Sequence, residues 1–401
     1  MQQRRLRILW ANFYCLLDTS SGASLSIREM LRQLSFNGYE VFIIGATVFD
    51  SDRAASVLPR NWREQLATTD ILDLDDPPLK HRLLITASHQ RDRMTSFEEA
   101  KWYEFYIHVL ERLKPDLVWF YGGRPVDYLI ADEARHRRIP VAAYLVNENY
   151  TKTRWCRDVD LILTDTAATA NYYRNKLGLC LTPVGKFIDA DAVMASEHFR
   201  KTVLFVNPSL QKGAGIVIQM ALSLEKRRPD IHFEVVESRG DWLPLLRYFS
   251  EKLGERRDLL ENVTLTPNTP DMRPLYSRAR VVLAPSLWHE SGSRVLAEAM
   301  INAVPAIVTD RGGNGELIAQ GGAVVSLPER YYEKPYTALL DPGDLECFVK
   351  PLIRMIDDEA EYDRYVEHAR QAGKVFGDIS ASTRKLIEAF EPLLQPLDAQ
   401  S

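Results

Sequence analysis

Short apolar runs alternate along the chain with longer segments of helical periodicity. Residues 6–10 form the first apolar run, and a loop of small polar residues at 18–22 leads into a helical pattern over 23–36. The helical pattern stops at Asn37-Gly38, ahead of a second apolar run over 41–45. This order predicts a βαβ unit whose loop lies at the carboxyl end of the first strand, where open parallel sheets bind ligands.

The same alternation continues through the rest of the first half. A helix is predicted over 95–113, and buried strands are predicted over 117–121, 141–146 and 161–164. The acidic, proline-containing segment 70–78 is predicted to be a surface loop. Polar residues that follow the predicted strands face the same crevice, and three of them are candidates for ligand binding: Arg124, Asn147 and Glu148. Arg124 could equally be an exposed loop residue without a ligand.

The second half repeats this organisation. A β-prone run over 202–206 is followed by a loop that contains Lys212 and then by a helix. Further strands are predicted over 232–236 and 263–265, and the second of these ends close to Pro267 and Asn268. Three helical patterns close the chain, at about 344–356, 362–376 and 380–394.

Length and composition limit the class of protein. A chain of 401 residues suits two domains, and its 46% hydrophobic and 26% charged residues are typical of a globular protein. The net charge of -5 and the pI of about 6.0 argue against nucleic-acid binding, which needs a clustered basic surface. Basic clusters at 4–7 and 135–138 could contact an anionic membrane surface, or they could be solvated positions at element ends.

Cysteine usage and the N-terminus point to a cytoplasmic protein. The four cysteines are scattered without metal-ligand spacing, so reduced thiols are expected. No apolar run approaches the length that spans a bilayer. The basic, then apolar N-terminal segment lacks a small-residue cleavage site, and it is interpreted as the first strand.

The stretch from 284 to 316 carries the densest candidate chemistry. An apolar run over 280–284 precedes a helical pattern that continues to about residue 303. Glu290 and Glu298 are separated by seven residues, so a helix that begins near Glu290 would place both carboxylates on one face. Such a pair could hold a sugar and a ribose on either side of a diphosphate, or it could be a solvated helix face.

Small residues in the same stretch create a candidate phosphate site. Ser291, Gly292 and Ser293 lie where a helix N-terminus offers free N–H groups and partial positive charge. A further apolar run over 306–308 is followed by the Gly312-Gly313 turn, which predicts another strand edge at a ligand crevice.

Together, the runs PSLWHESGSRVLAEAM and NAVPAIVTDRGGNGE resemble the donor-site signature of retaining glycosyltransferases known as glycosyltransferase family 4. The resemblance implies an α/β protein of the GT-B fold, with two Rossmann-like α/β/α domains that face each other across a cleft. It predicts an acceptor-binding domain over 1–192 and a nucleotide-sugar-binding domain over 193–379. The last helix, at about 380–401, is expected to pack back onto the first domain.

The resemblance also assigns roles to individual residues. Glu290 would hold the donor sugar, and Glu298 would hold the ribose. Lys212 matches the family's lysine that contacts the diphosphate, whereas the family's arginine in this loop is absent. Arg294 or Arg311 would then supply a second cation, and the catalytic candidates are Glu290, Lys212 and Arg294.

The remaining donor-side candidates are small or polar residues in predicted loops. Gly22 matches one of two loop glycines that approach the donor phosphate or the acceptor in the family. A family histidine near the strand at 141–146 is absent, so Asn147 and Glu148 are predicted to serve the acceptor side. The full donor-binding set is Glu298, Gly292, Ser293, Ser291, Pro267, Asn268, Gly22 and Ser209.

The activity implied is transfer of a sugar from a nucleotide diphosphate sugar, with UDP and GDP as candidate carriers, to an unidentified acceptor with retention of configuration. The scheme needs no protein nucleophile, no cofactor and no metal, and the sequence has no Asp-x-Asp of the kind that holds one. Two alternatives stay open. The chain could be a non-catalytic subunit that binds a sugar nucleotide, or another GT-B enzyme such as a sugar-nucleotide epimerase or a phosphorylase.

Overall fold

The computed structural model describes residues 4–62, 64 and 69–394. The chain divides into two compact units. The first unit comprises the chain up to Asp165, residues Ala170–Phe187 and the segment from Ser380 onward. The second unit comprises Thr166–Thr169 and Ile188–Ile379. The part of the predicted C-terminal helix at 395–401 lies outside the described residues.

The described part of the first unit forms an eight-stranded sheet that is parallel except for one hairpin. Its spatial order is β3-β4-β2-β1-β5-β6-β7-β8, in which the strands are β1 (Arg7–Ala11), β2 (Glu40–Ala46), β3 (Ile71–Asp76), β4 (Leu79–Leu84), β5 (Leu117–Phe120), β6 (Val141–Tyr144), β7 (Leu161–Thr164) and β8 (Thr182–Pro183). The helices that connect or follow these strands are α1 (Gly22–Phe36), α2 (Ser96–Leu113), α3 (Tyr128–His136), α4 (Ala167–Leu177) and α13 (Ile379–Leu394).

Burial on both faces explains the central strands of this sheet. Ile8, Leu9 and Trp10 of β1 are fully buried, as a strand covered on both sides requires. Helix α13 packs on the same unit, because the Phe390 ring meets the Trp119 ring edge-to-face at 5.3 Å between centroids.

The described part of the second unit forms a six-stranded parallel sheet in the order β11-β10-β9-β12-β13-β14. Its strands are β9 (Thr202–Val206), β10 (His232–Val236), β11 (Val263–Thr266), β12 (Ala279–Ala284), β13 (Ala306–Thr309) and β14 (Gly322–Val325). Its helices are α5 (Ala190–Val193), α6 (Ala214–Arg227), α7 (Trp242–Lys252), α8 (Arg273–Arg278), α9 (Arg294–Ile301), α10 (Asn314–Ile318), α11 (Pro342–Asp357) and α12 (Glu359–Gly377).

Each sheet has one point at which the strand order reverses. In the first unit the chain moves from β1 outward through β2 and returns on the other side of β1 with β5. In the second unit it moves from β9 through β10 to β11 and returns beside β9 with β12. Ligands of open α/β sheets bind outside the carboxyl ends of the strands at such points. The loops after β1 and β5, and those after β9 and β12, are therefore the places where binding residues are expected.

Two local predictions were wrong. The segment 70–78 is not a surface loop, because β3 pairs antiparallel with β4 along its whole length. The reason is that Leu72 is buried and the carboxylate of Asp76 accepts two hydrogen bonds from Arg28, each 2.6 Å long. The prolines at 77 and 78 lie between the two strands, at the turn.

The second wrong prediction concerns the start of α9. The helix begins at Arg294, so Glu290 lies in the preceding loop and the two glutamates do not share a helix face. The backbone explains this difference. Gly292 has a φ of +151°, and Glu290 forms a parallel β-bridge with Gly312, and neither feature is compatible with a helix.

The cysteines and helices bear on the cellular setting. Cys15, Cys156, Cys180 and Cys347 are all free thiols. Within the described ranges, every helix is too short or too polar to cross a membrane.

Candidate functional site

The loop after β9 is built directly onto the loop after β12. Gly213 adopts a φ of +79°, and a Cβ atom at this position would lie 2.0 Å from the carbonyl oxygen of Pro285. The N–H of Leu287 donates a hydrogen bond of 2.9 Å to the carbonyl of Gln211. Only glycine permits this approach, so the residue before it, Lys212, is held beside the β12 loop.

Lys212 and Glu290 form an ion pair in which the Lys212 ammonium donates to Glu290 Oε1. The same carboxylate oxygen accepts hydrogen bonds from Trp288 Nε1 at 2.5 Å and from Ser286 Oγ at 3.1 Å. The two charged side chains are only 17% and 9% exposed. The strand reversal point of the second sheet therefore carries a largely buried, hydrogen-bonded carboxylate with its countercharge.

Electrostatics keep this carboxylate ionised. Burial opposes the charge of Glu290, but the Lys212 ammonium and the hydrogen bonds from Lys212, Trp288 and Ser286 outweigh it. The pKa of Glu290 therefore lies below its usual value. A charged acceptor that is held in this way can bind hydroxyl groups, which is the chemistry that sugar recognition needs.

The turn after β13 fixes the backbone of Glu290. Gly312 has a φ of +76°, and a Cβ atom there would lie 2.0 Å from the carbonyl oxygen of Glu290. The N–H of Gly313 donates to that carbonyl at 2.7 Å. The predicted Gly-Gly turn therefore positions the first glutamate through the backbone.

Glu298 forms a second buried cluster on α9. One carboxylate oxygen accepts a hydrogen bond from Arg294 Nε at 2.6 Å, one helical turn earlier. The other accepts from the hydroxyl of Tyr276 at 2.9 Å. Burial, and then the Glu298 charge, raise the pKa of Tyr276 well above its usual value, so Tyr276 remains a hydrogen-bond donor.

The predicted phosphate loop is partly occupied by a side chain. The N–H of Ser293 donates to Asn314 Oδ1 at 3.2 Å. Asn314 is fully buried, and its Nδ2 has no hydrogen-bond partner among the described residues. The neighbouring Ser291 carbonyl accepts from the Thr166 hydroxyl at 2.5 Å, and both residues belong to the second unit.

The remaining predicted donor residues of this unit lie in two different loops. Ser209 precedes Lys212, and its carbonyl accepts the Lys212 N–H at 3.1 Å. Pro267 and Asn268 follow β11, which is an edge strand and is separated from β9 by β10. The structure therefore brings Ser209 to the strand reversal point and places Pro267 and Asn268 along the same edge of the sheet.

Gly22, which was predicted on the donor side, and the predicted acceptor residues all lie in the first unit. Gly22 is the first residue of α1, and Ser21 caps that helix. Arg124 follows β5, and its guanidinium lies 2.6 Å from the carboxylate of Asp92. Asn147 accepts the N–H of Asn149 through its side chain at 3.0 Å, so it closes a local turn. The last predicted acceptor residue, Glu148, is partly buried.

A buried charge pair that the sequence did not reveal lies beside Arg124. Asp127 accepts the Arg124 N–H at 2.9 Å, and Arg91 Nη2 lies 4.0 Å from its carboxylate. Burial raises the pKa of Asp127 to about 6, although the Arg124 N–H and the Arg91 charge act against this rise. A Cβ atom at Gly122 would lie 2.4 Å from this carboxylate, so Asp127 sits beneath the glycine turn.

Sequence reasoning missed several residues of the second-unit clusters. Trp288 and Ser286 lie inside the signature stretch, and their proximity to Glu290 could have identified them as its donors. Asn314 directly follows the Gly-Gly turn, so its place in the signature could likewise have identified it. Tyr276 is on α8, and no local pattern connects it with Glu298.

The fold is shared with a known structural class. The chain has the fold of GT-B glycosyltransferases. It is similar to a glycosyltransferase from Rickettsia africae (TM-score 0.65, 13% identity, 98% of this chain and 99% of that chain). It is also similar to sucrose-phosphate synthase from Thermosynechococcus elongatus (TM-score 0.69, 14% identity, 97% and 99%) and to HepE from Anabaena in complex with UDP-glucose (TM-score 0.66, 14% identity, 97% and 100%). The predicted fold class is therefore confirmed.

A family match adds a narrower assignment. Residues 194–372 match the family described as Glycosyl transferases group 1. YtcC of Bacillus subtilis is 25% identical over 208 residues, which are 50% of this chain and 47% of that protein. Spore coat protein SA of Bacillus subtilis is 32% identical over 149 residues, 34% of this chain and 39% of that protein. These matches cover less than half the length of either relative.

Proposed function

We propose that this protein is a retaining glycosyltransferase of family 4 that transfers a sugar from a nucleotide diphosphate sugar. The observation that carries the proposal is the pair of buried carboxylate clusters at the strand reversal point of the glycosyl transferases group 1 domain. Glu290 binds hydroxyls of the donor sugar, and Glu298 binds the ribose. UDP-sugars are the first candidates, since HepE, which has the same fold, is known in complex with UDP-glucose.

The chemistry follows from where charge develops. When the bond between the anomeric carbon and the diphosphate breaks, negative charge grows on the leaving oxygen, and nearby cations lower the barrier. The Lys212 ammonium is the nearest candidate, because it already lies against Glu290. The positive end of α9 contributes further, although Asn314 already accepts the N–H of Ser293. Sugar hydroxyls that bind Glu290 would shift Lys212 toward the diphosphate.

No residue of the chain forms a covalent bond to the sugar in this scheme. The acceptor attacks the face from which the diphosphate leaves, so the anomeric configuration is retained and a phosphate oxygen takes the acceptor proton. Placement of donor and acceptor by the protein supplies much of the rate. The scheme uses no metal, so addition of EDTA should leave the rate unchanged.

The test is an assay of nucleotide release from UDP-glucose, UDP-N-acetylglucosamine and GDP-mannose in the presence of a panel of acceptors. One of these donors should release its nucleotide, and proton NMR should show the glycosidic bond with the configuration of the donor. Glu290→Gln should abolish release while leaving the protein folded. A product of inverted configuration would refute the retaining mechanism.

A second candidate function is that of a sugar-nucleotide-binding subunit without turnover. The observation that favours it is the absence of a cationic residue from Asn207–Ser209, the segment that precedes Lys212 in the same loop. Nucleotide binding without release from any donor, with Glu290→Ala altering affinity and nothing else, would select this alternative.

A further inference from the structure

The described donor-site clusters hold little uncompensated positive charge. Lys212 is paired with Glu290, so this pair is neutral as a unit. The donor diphosphate is ionised at neutral pH on both phosphates, and taking it out of water without countercharges costs several kcal/mol. A second cation is therefore needed close to Lys212.

The two arginines within the signature runs, Arg294 and Arg311, already have partners. Arg294 Nε lies 2.6 Å from the carboxylate of Glu298, which it orients. Arg311 lies over the Tyr332 ring at 4.3 Å, and its guanidinium is 3.6 Å from the carboxylate of Glu329. Either arginine would have to give up a buried or stacked contact to reach a diphosphate.

The loop after β10 brings another arginine beside the Lys212 loop. Strands β9 and β10 end level with each other, since Val206 pairs with Val236. Asn207, at a φ of +63°, accepts the N–H groups of Arg239 and Gly240, each at 3.2 Å. These hydrogen bonds attach the β10 loop to the first residue after β9.

A glycine makes the attachment closer still. A Cβ atom at Gly240 would lie 1.8 Å from the carbonyl oxygen of Pro208 and 3.5 Å from Ser209 Cβ. Arg239 is exposed, and Glu237 in the same loop accepts the N–H of Trp242 at the start of α7. The β10 loop therefore presents its arginine at the edge of the sheet where Lys212 also lies.

A hydroxyl in the intervening loop lacks a partner. Ser209 Oγ is buried and makes no hydrogen bond with any residue that the structure describes. Such a group costs free energy unless a ligand or water accepts its hydrogen bond. Ser209 lies between the Arg239 loop and Lys212, because Gly240 contacts Pro208 and Ser209, and the Ser209 carbonyl accepts the Lys212 N–H. An anionic oxygen at this place could accept hydrogen bonds from all three side chains.

We propose that Arg239 binds the diphosphate of the donor together with Lys212 and the Ser209 hydroxyl. The inference rests on the proposed function and adds to it a donor-binding residue from the loop after β10. Arginine suits the role, because its planar fork can donate two parallel hydrogen bonds to a phosphate.

The experiment is calorimetric titration of the full-length protein with UDP and UMP, and with GDP and GMP in parallel. The variants are Arg239→Gln, Arg239→Lys and a matched control, Arg247→Gln. Arg247 is an exposed arginine of α7 that pairs with Asp258 at 2.5 Å, away from the β10 loop. Thermal unfolding of each variant confirms that it is folded.

Arg239→Gln should weaken binding of the nucleoside diphosphate about tenfold, with a smaller effect on the monophosphate. Arg239→Lys should retain part of the affinity, and Arg247→Gln should retain all of it. The inference is overturned if Arg239→Gln binds the diphosphate within twofold of the unmodified protein, or if both nucleotides weaken equally. If the unmodified protein binds none of the four nucleotides, the proposed function itself fails and the inference falls with it.

Discussion

The strand reversal points of the two sheets use charged residues in different ways. In the second unit, Lys212 and Glu290 extend from loops that are locked together by glycine, and their side chains meet at the carboxyl edge. In the first unit, Arg91 and Asp127 are 5% and 7% exposed and lie beneath the glycine turn that they stabilise. In the first unit the charged pair stabilises a loop. In the second unit, under the proposed function, the ion pair of Lys212 and Glu290 opens so that each side chain can bind the ligand.

This difference shows what a charge pair needs in order to serve a ligand. The second-unit pair is fixed through the backbone, since Gly213 and Gly312 set the positions of Lys212 and Glu290 without using their side chains. In the first unit, the carboxylate of Asp127 itself accepts the N–H of Arg124. A ligand there would compete with the hydrogen bonds that hold the loop.

The largest expected effect comes from the second-unit pair. Lys212→Met should reduce sugar transfer by at least about a hundredfold. The same change should also destabilise the protein by about 3 kcal/mol, because Glu290 would be left buried and unpaired. Glu290→Gln added to Lys212→Met should restore stability but not transfer. Urea unfolding and nucleotide release measure the two effects, and a double variant as unstable as Lys212→Met would contradict the pairing.

The next effect tests the backbone support of Glu290. Gly312→Ala should lower the free energy of unfolding by about 3 kcal/mol or more, because the new Cβ would lie 2.0 Å from the Glu290 carbonyl oxygen. The matched control is Gly254→Ala. Gly254 also has a positive φ, of +92°, but apart from its chain neighbours no atom of the described residues lies within 4 Å of its added Cβ. The control should cost only about 1 kcal/mol, so equal losses would show that the close approach is unimportant.

In the first unit the expected effect is a pH dependence. The pKa of Asp127 is raised to about 6 by burial, so the folded state binds this proton more tightly than the unfolded chain does. Protonated Asp127 therefore contributes stability. This contribution is fully present below the pKa of Asp127 in the unfolded chain, about 3.9, and is lost as the pH rises through its folded-state pKa of about 6. Asp127→Asn should remove this loss.

The measurement is the free energy of unfolding of both proteins between pH 4 and pH 7 in the same buffers. The difference between them should change by about 2–3 kcal/mol across this range, with Asp127→Asn gaining relative stability as the pH rises. A constant difference would mean that Asp127 titrates normally and that its burial has no electrostatic cost.

The smallest expected effect concerns Glu298. Tyr276→Phe removes the hydroxyl that donates to this carboxylate at 2.9 Å, and nucleotide affinity should fall about fivefold, or about 1 kcal/mol. Tyr362→Phe is the control, because the Tyr362 hydroxyl donates at 3.0 Å to the Arg280 carbonyl instead. Isothermal calorimetry with the preferred nucleotide compares them, and equal affinities of both variants would argue against a role for Tyr276.

The sequence was informative where function depends on short-range pattern. The strands at 161–164, 202–206 and 232–236 were predicted with their observed bounds, because continuous β-prone runs are bounded by polar loops. The signature stretch located Glu290 and Glu298. It did not show that α9 begins only at Arg294, since the helical pattern of side chains continues into the loop. The positive φ of Gly292 and the bridge between Glu290 and Gly312 exclude a helix there.

Contacts between distant segments were beyond the sequence. Tyr276 reaches Glu298 from another helix, and Arg239 reaches the Lys212 loop from another strand. The hairpin at β3 and β4 was missed because its acidic residues suggest a loop, whereas Asp76 is satisfied by Arg28 from α1. In each case the deciding partner lies tens of residues away in the chain.

We expect the strand reversal point of the second unit to bind a nucleotide diphosphate sugar. The most direct test is a thermal-shift comparison of UDP, GDP, ADP and CDP and their sugar conjugates on the full-length protein and on Glu298→Ala. A ligand that binds only the folded state raises the melting temperature. One nucleotide series should stabilise the unmodified protein and should lose this effect in Glu298→Ala. Absence of any shift at millimolar concentration, or an equal shift in both proteins, would contradict the account.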